Sequence, residues 1–247
     1  MTTREFMWFP VGLALLLSGC PKTEVAPGPS ATAPGPTAVA TAALATPAPV
    51  PLEDALVPLP NKDGHFPVLT KKSVISMVTS EGTITLEVYP EAAPNAVARF
   101  LELVESGFYN ETPVSRVVRR PAPFVAQFGI NWRKPHNAWE KKTFKDDPSL
   151  FALDRGTLCF AKGDLDQNST QVFINLRENN ALADPKLNFT AFGKVVKGMD
   201  VVERFASVGQ ADSGLDQYRL WNSGDSYLES LTVKPTMIEK MTVAKPK

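Results

Sequence analysis

A chain of 247 residues with 26 Lys plus Arg against 26 Asp plus Glu has no net charge. A phosphate-binding face built on a basic excess is therefore excluded as its organising feature, and no nucleic-acid partner is expected, although a local basic patch at Arg116, Arg119 and Arg120 stays open. Its only cysteines, Cys20 and Cys159, and its only histidines, His65 and His136, stand at no ligand spacing, so neither a metal site nor a disulfide framework is expected.

Residues Phe6 to Leu17 form an apolar run of twelve behind Arg4. That is too short to span a bilayer as a helix, which takes about 20 residues, but it suits the h-region of a secretory signal. The run closes on Leu17-Ser18-Gly19-Cys20, which resembles the lipobox of bacterial lipoproteins. The resemblance implies a signal peptide over 1–19, removed at Cys20, and lipidation of that cysteine; the alternative is an ordinary secretory signal. Several acyl chains give stable anchoring where one does not. Pro21 stands where an aspartate would signal inner-membrane retention in that family, which points to the periplasmic face of the outer membrane. From Pro21 to Pro60 there are ten prolines and only four charged residues. Proline removes backbone donors and fixes φ, so 20–63 reads as a Pro/Ala-rich disordered tether spanning roughly 35 Å as a coil and about 120 Å extended.

The folded region is expected over 64–247. Val74–Thr79 and Thr83–Tyr89 read as two strands joined by Ser80-Glu81-Gly82. Pro94 to Val104 has helical spacing, with Val97, Phe100, Leu101 and Val104 on one face and Gly107 just past the end. Further strands are expected at 114–118, 124–130, 157–161, 171–176, 191–196 and 237–243, with a second short helix at 199–206. Cys159 sits in an apolar strand as a buried, free thiol. Eight strands without βαβ alternation suggest a closed antiparallel barrel capped by two helices, although a sandwich satisfies the same pattern.

Several segments then carry a resemblance. These are Val88-Tyr89-Pro90 with Ala93-Pro94-Asn95, Gly107-Phe108-Tyr109, Ser115-Arg116-Val117-Val118, Phe124-Val125-Ala126-Gln127, Arg155-Gly156-Thr157, Ser169 to Asn175, and Phe192 to Asp200. In this order and spacing the chain resembles the bacterial cyclophilin-type peptidyl-prolyl cis/trans isomerases, from about Val74 to Val208. The resemblance implies an eight-stranded barrel with its active face on the outside, no cofactor, and Pro-containing flexible polypeptides as partners of a monomeric enzyme. By position Arg116 matches the catalytic arginine. Phe124, Val125, Phe173, Leu182 and Phe189 match the lining of the proline pocket. Gln127, grouped with Arg116 as catalytic, and Gln171 match the polar groups that position substrate backbone. Ala161 and Lys162 match the stretch whose main chain pairs with the peptide, the Lys162 side chain being read as solvated.

Such chemistry suits the residues present. Turning a prolyl imide breaks amide resonance over a barrier of about 18–20 kcal/mol and needs no nucleophile, base or metal. The twisted nitrogen regains a lone pair that an arginine N–H can bind selectively. Three departures from the family stand out. Arg119-Arg120-Pro121-Ala122-Pro123 replaces a shorter turn and could form a basic rim. Phe128 replaces a glycine and either crowds its strand or extends the apolar surface. Residues 207–235 exceed the minimal pattern and have no assigned role. A catalytically silent module that grips Pro-containing segments is the competing function.

Overall fold

Alternation of side chains along Ser73–Thr79 buries Ile75 and Met77 and leaves Ser76 and Val78 half-exposed on the opposite face, the two-residue period of a strand with one covered side. The computed structural model describes residues 56–60, 64 and 67–244. The signal peptide, Cys20, His65 and most of the tether lie outside the described residues. Strand β1 (Ser73–Thr79) turns directly into β2 (Gly82–Val88), paired from Ser73 opposite Val88 to Thr79 opposite Gly82. Six more strands follow: β3 (Thr112–Val117), β4 (Val125–Phe128), β5 (Thr157–Phe160), β6 (Val172–Asn175), β7 (Gly193–Lys197) and β8 (Met237–Val243). They close a barrel in the order β1-β2-β7-β5-β6-β4-β3-β8 with antiparallel neighbours throughout. Closure removes every sheet edge and settles the choice against a sandwich.

Two helices complete the barrel core. Helix α1 (Pro94–Glu105) puts Ala96, Val97, Phe100, Leu103 and Val104 into it, and α2 (Met199–Arg204) adds Met199, Val201 and Val202. Inside, the ring of Phe192 lies 5.2 Å from both Phe100 and Phe160. Phe128 is fully buried there, 5.4 Å from Tyr109, so it fills the interior and adds nothing to the outer apolar surface. Ala93 precedes α1 with no capping side chain. The gap is closed from a distance by Asp147, whose carboxylate accepts from the N–H groups of Ala96 at 2.9 Å and Asn95 at 3.2 Å, two of the donors every helix start leaves unpaired.

A third helix is added to the expected pair among the described residues. Helix α3 (Gln217–Ser230), kinked at Ser223, lies within residues 207–235, the segment with no assigned role. Leu220 and Tyr227 join Ile130, Val208 and Leu215 in an apolar cluster apart from the barrel core. Gly224 lies so close to the Trp132 indole that a β-carbon would overlap the ring. Arg133 reaches Asp225 at 3.0 Å, a second tie between α3 and the chain leaving β4.

Candidate functional site

Parity decides which side chains face outward. Ala126 and Phe128 of β4, Val172 and Ile174 of β6, and Leu158 and Phe160 of β5 belong to the barrel core, so their neighbours Val125, Gln127, Phe173 and Cys159 project from the outer surface. The register places Arg116 opposite Gln127, Gln127 opposite Phe173, and Phe173 opposite Cys159. Four adjacent strands thus carry one outer row, with the arginine at its β3 end.

Apolar residues gather beside that row. Val125 and Phe173 form a buried cluster with Phe124, Ala161, Leu182 and Phe189 packed against it. Phe173 and Phe189 meet edge to face at 5.6 Å. All five expected pocket residues are therefore brought together. Asn179, which the sequence reading did not single out, ties their supports: its amide donates to the Phe124 carbonyl at 3.0 Å and to Asn175 Oδ1 at 2.7 Å, while its carbonyl accepts from the Leu182 N–H at 2.9 Å. Cys159 is fully buried and free; burial pushes its thiol well above the ordinary range, against the hydrogen bond from Asn175.

The Arg116 guanidinium is held from two sides. Its Nε donates to the Asp212 carbonyl at 2.5 Å and its Nη1 to Gln127 Oε1 at 3.3 Å. The Cζ atom lies 5.9 Å from the Phe124 ring centre, and Nη2 has no acceptor among the described residues. Desolvation lowers its pKa, and the nearby Asp212 charge partly opposes that. A partly desolvated cation with one donor pair free is suited to binding a developing lone pair. Gln127, only 7% exposed, passes the contact on: its Nε2 donates to Gln171 Oε1 at 2.8 Å, and Gln171 Nε2 donates to Gln217 Oε1 at 3.1 Å. Asp212 and Gln217 both come from the segment to which the sequence reading assigned no role.

Ala161 and Lys162 follow directly on β5. The Ala161 N–H donates to the Gln171 carbonyl at 2.8 Å. Lys162 is not solvated as expected. Its ammonium is buried against Asp146 at 2.5 Å, also donates to the Asn188 carbonyl at 3.1 Å, and lies 5.4 Å from the Phe189 ring centre. Burial raises the Asp146 pKa, but hydrogen bonds from Lys162 and Asn168 outweigh it and hold the carboxyl below its usual range.

Arg119 forms no basic rim. Its guanidinium turns onto the end of α2, donating to the carbonyls of Phe205 at 2.7 Å, Glu203 at 2.8 Å and Val202 at 3.1 Å, and to Ser207 Oγ at 3.1 Å. A cation there satisfies the carbonyls a helix leaves unpaired at its end.

The family model for cyclophilin type peptidyl-prolyl cis-trans isomerases matches residues 74–223. The chain is 32% identical over 148 residues to a peptidyl-prolyl cis-trans isomerase of Acinetobacter baylyi, covering 59% of this chain and 78% of that protein. It is 30% identical over 167 residues to peptidyl-prolyl cis-trans isomerase B of Escherichia coli K12, covering 65% and 99%. In fold it is similar to a cyclophilin type isomerase from Cryptosporidium parvum, with a TM-score of 0.53 at 18% identity over 72% of this chain and 100% of the other.

Proposed function

Because the chain belongs to the cyclophilin-type peptidyl-prolyl cis-trans isomerase family, we propose that its outer row is the active site, that Arg116 acts on the twisted imide, and that the substrates are exported or cell-envelope polypeptides. One observation carries the mechanism: a partly desolvated arginine, held at Nε and Nη1 and free at Nη2, stands beside the Phe124, Val125, Phe173, Leu182 and Phe189 cluster. The cluster seats the proline ring. The guanidinium donates to the imide nitrogen when that nitrogen leaves the amide plane, an interaction weak in the planar ground state and strong at the barrier. A single charged donor of this kind supplies about 3–4 kcal/mol, near the 4 kcal/mol that a thousandfold acceleration requires.

Saturation kinetics of prolyl isomerisation by the purified chain, with Arg116→Ala beside it, test this reading. The variant is expected to lose about a hundredfold or more in kcat with its unfolding midpoint unchanged. A folded Arg116→Ala enzyme of undiminished turnover would overturn it. The substrate class rests on the signal-like run and on Leu17-Ser18-Gly19-Cys20: lipidation at Cys20 would place the domain, on its tether, at the periplasmic face of a membrane. Labelled palmitate entering the wild-type protein but not Cys20→Ser, in cells producing each, is the expected result. Equal labelling of the two would remove the anchor and, with it, the argument for envelope clients.

A further inference from the structure

The relay that begins at Arg116 has a direction, set by the arginine, and its last bond is made at Gln217. Arginine only donates, so Gln127 must present its carbonyl oxygen to Nη1, as it does at 3.3 Å. The Gln127 amide group then faces Gln171, which must offer its own oxygen, at 2.8 Å. That leaves the Gln171 amide group pointing out of the barrel row, where Gln217 Oε1 receives it at 3.1 Å. Without an acceptor at that point, the Gln171 amide NH2 loses its partner, and the contact that holds its oxygen toward Gln127 is weakened. Gln171 then samples other rotamers, and each one that withdraws its oxygen loosens the Gln127 amide that presents an oxygen to Arg116. Polar chains of this kind are stabilised as a unit and fail as a unit.

We propose that Gln217 is a positioning residue of the isomerase site, held in place by the start of α3; the inference rests on the role given to Arg116 above. Everything around Gln217 serves that placement. Asp216 caps α3 by accepting from the Arg219 N–H at 3.0 Å, with Gln217 as the first helical residue. The Tyr227 hydroxyl accepts from the Asp216 N–H at 2.9 Å, so the far half of the helix fixes its own start. The Leu215 N–H donates to the Ser115 carbonyl at 2.8 Å, tying the approach to the residue before Arg116. Gly214, at φ +71°, passes so close that a β-carbon would sit 2.7 Å from the Arg116 Cα, an approach only glycine permits. The helix is clamped in turn where Trp132 lies on Gly224 and Arg133 meets Asp225. Gln217 reaches Arg116 only through other side chains, so its effect is on orientation and not on contact with the imide.

Two substitutions test this. Gln217→Met keeps length and shape but loses the acceptor; Gln217→Glu keeps an acceptor. Saturation kinetics of the full chain should show kcat lowered about fivefold in Gln217→Met with KM within about twofold, and Gln217→Glu within about twofold of wild type in both. The Nε–H resonance of Arg116 in a 15N spectrum should shift or broaden in Gln217→Met and hold its place in Gln217→Glu. Equal unfolding midpoints for the three proteins separate positioning from loss of fold. If Gln217→Met matches wild type in kcat while Arg116→Ala is inactive, the inference fails and the catalytic reading stands. If Arg116→Ala itself retains full turnover, the catalytic reading fails and takes this inference with it. If Gln217→Glu falls as far as Gln217→Met, a relay of hydrogen-bond direction is excluded.

Discussion

The ammonium of Lys162 lies 2.5 Å from the Asp146 carboxylate, with the two side chains 2% and 8% exposed. The pair joins the residues just past β5 to the loop leading into Asp147, the acceptor at the start of α1. Removing one member of a buried pair costs more than the pair contributes, because the other charge is left unpaired. Lys162→Met is therefore expected to lower unfolding free energy by about 3 kcal/mol, and Lys162→Met with Asp146→Leu to recover more than half of that loss. Urea unfolding of the single and double variants measures both. A double variant no better than the lysine variant would show that the ion pair is not what the site lacks.

The same pair sets an acid limb. Asp146 is held below the ordinary carboxylate range because its hydrogen bonds from Lys162 and Asn168 outweigh the upward push of burial. Its folded value is thus lower than its unfolded one, near 4 for aspartate, and its stabilisation is present above about pH 4 and drains as pH falls through the folded value. Asp147 has the opposite sign: burial raises it over the effect of the Ala96 and Asn95 N–H groups, so its charge costs stability at neutral pH and protonation relieves that cost. Between about pH 6 and pH 3 the Tm should fall less in Asp146→Asn than in wild type, and further in Asp147→Asn. Parallel curves for all three proteins would contradict this assignment.

Arg119 gives a third expectation. Three carbonyls at the end of α2 and Ser207 Oγ share its guanidinium. Arg119→Ala should cost about 2 kcal/mol, and Arg119→Lys should restore less than half, because one compact ammonium cannot span four acceptors. Chemical unfolding decides it. Peptide preference is the contrasting readout: a shift away from acidic substrates in Arg119→Ala, with stability unchanged, would return the residue to the rim of the site.

The barrel was legible in the sequence because its signal is local. Ile75 and Met77 lie in a short β-branched, apolar run closed by a turn signal, Val97 and Phe100 recur at helical spacing, and each element can be read alone. Arg116, Gln127 and Phe173 were legible because they lie in short segments whose order matches a family. Helix α3 was not, although Leu220, Gly224 and Tyr227 recur at helical intervals: Gly224 and the Asn222-Ser223 pair before it weaken the local preference for helix, and the glycine has its reason only in the indole of Trp132, far away in the chain. The partners of Lys162, Arg119 and Gln171 were hidden for the same cause. Asp146, Phe205 and Gln217 reach them across separations that no local pattern records.

The site row holds a cation, two neutral amides and aromatic rings, and this governs the response of catalysis to pH. Arg116 has its pKa lowered by desolvation, yet guanidinium remains protonated in proteins across any assay range. Cys159, on the outer face behind Phe173, is pushed upward by burial and stays a thiol. Neither group changes charge near neutrality, and chemistry that moves no proton needs neither an acid nor a base. The expected kcat/KM is therefore flat from about pH 6 to pH 9, and an alkylating reagent that requires the thiolate should leave turnover intact. A bell-shaped profile in that range, or inactivation that follows modification of Cys159, would require a titrating group that this row of residues does not contain, and the mechanism drawn from Arg116 would then have to be replaced.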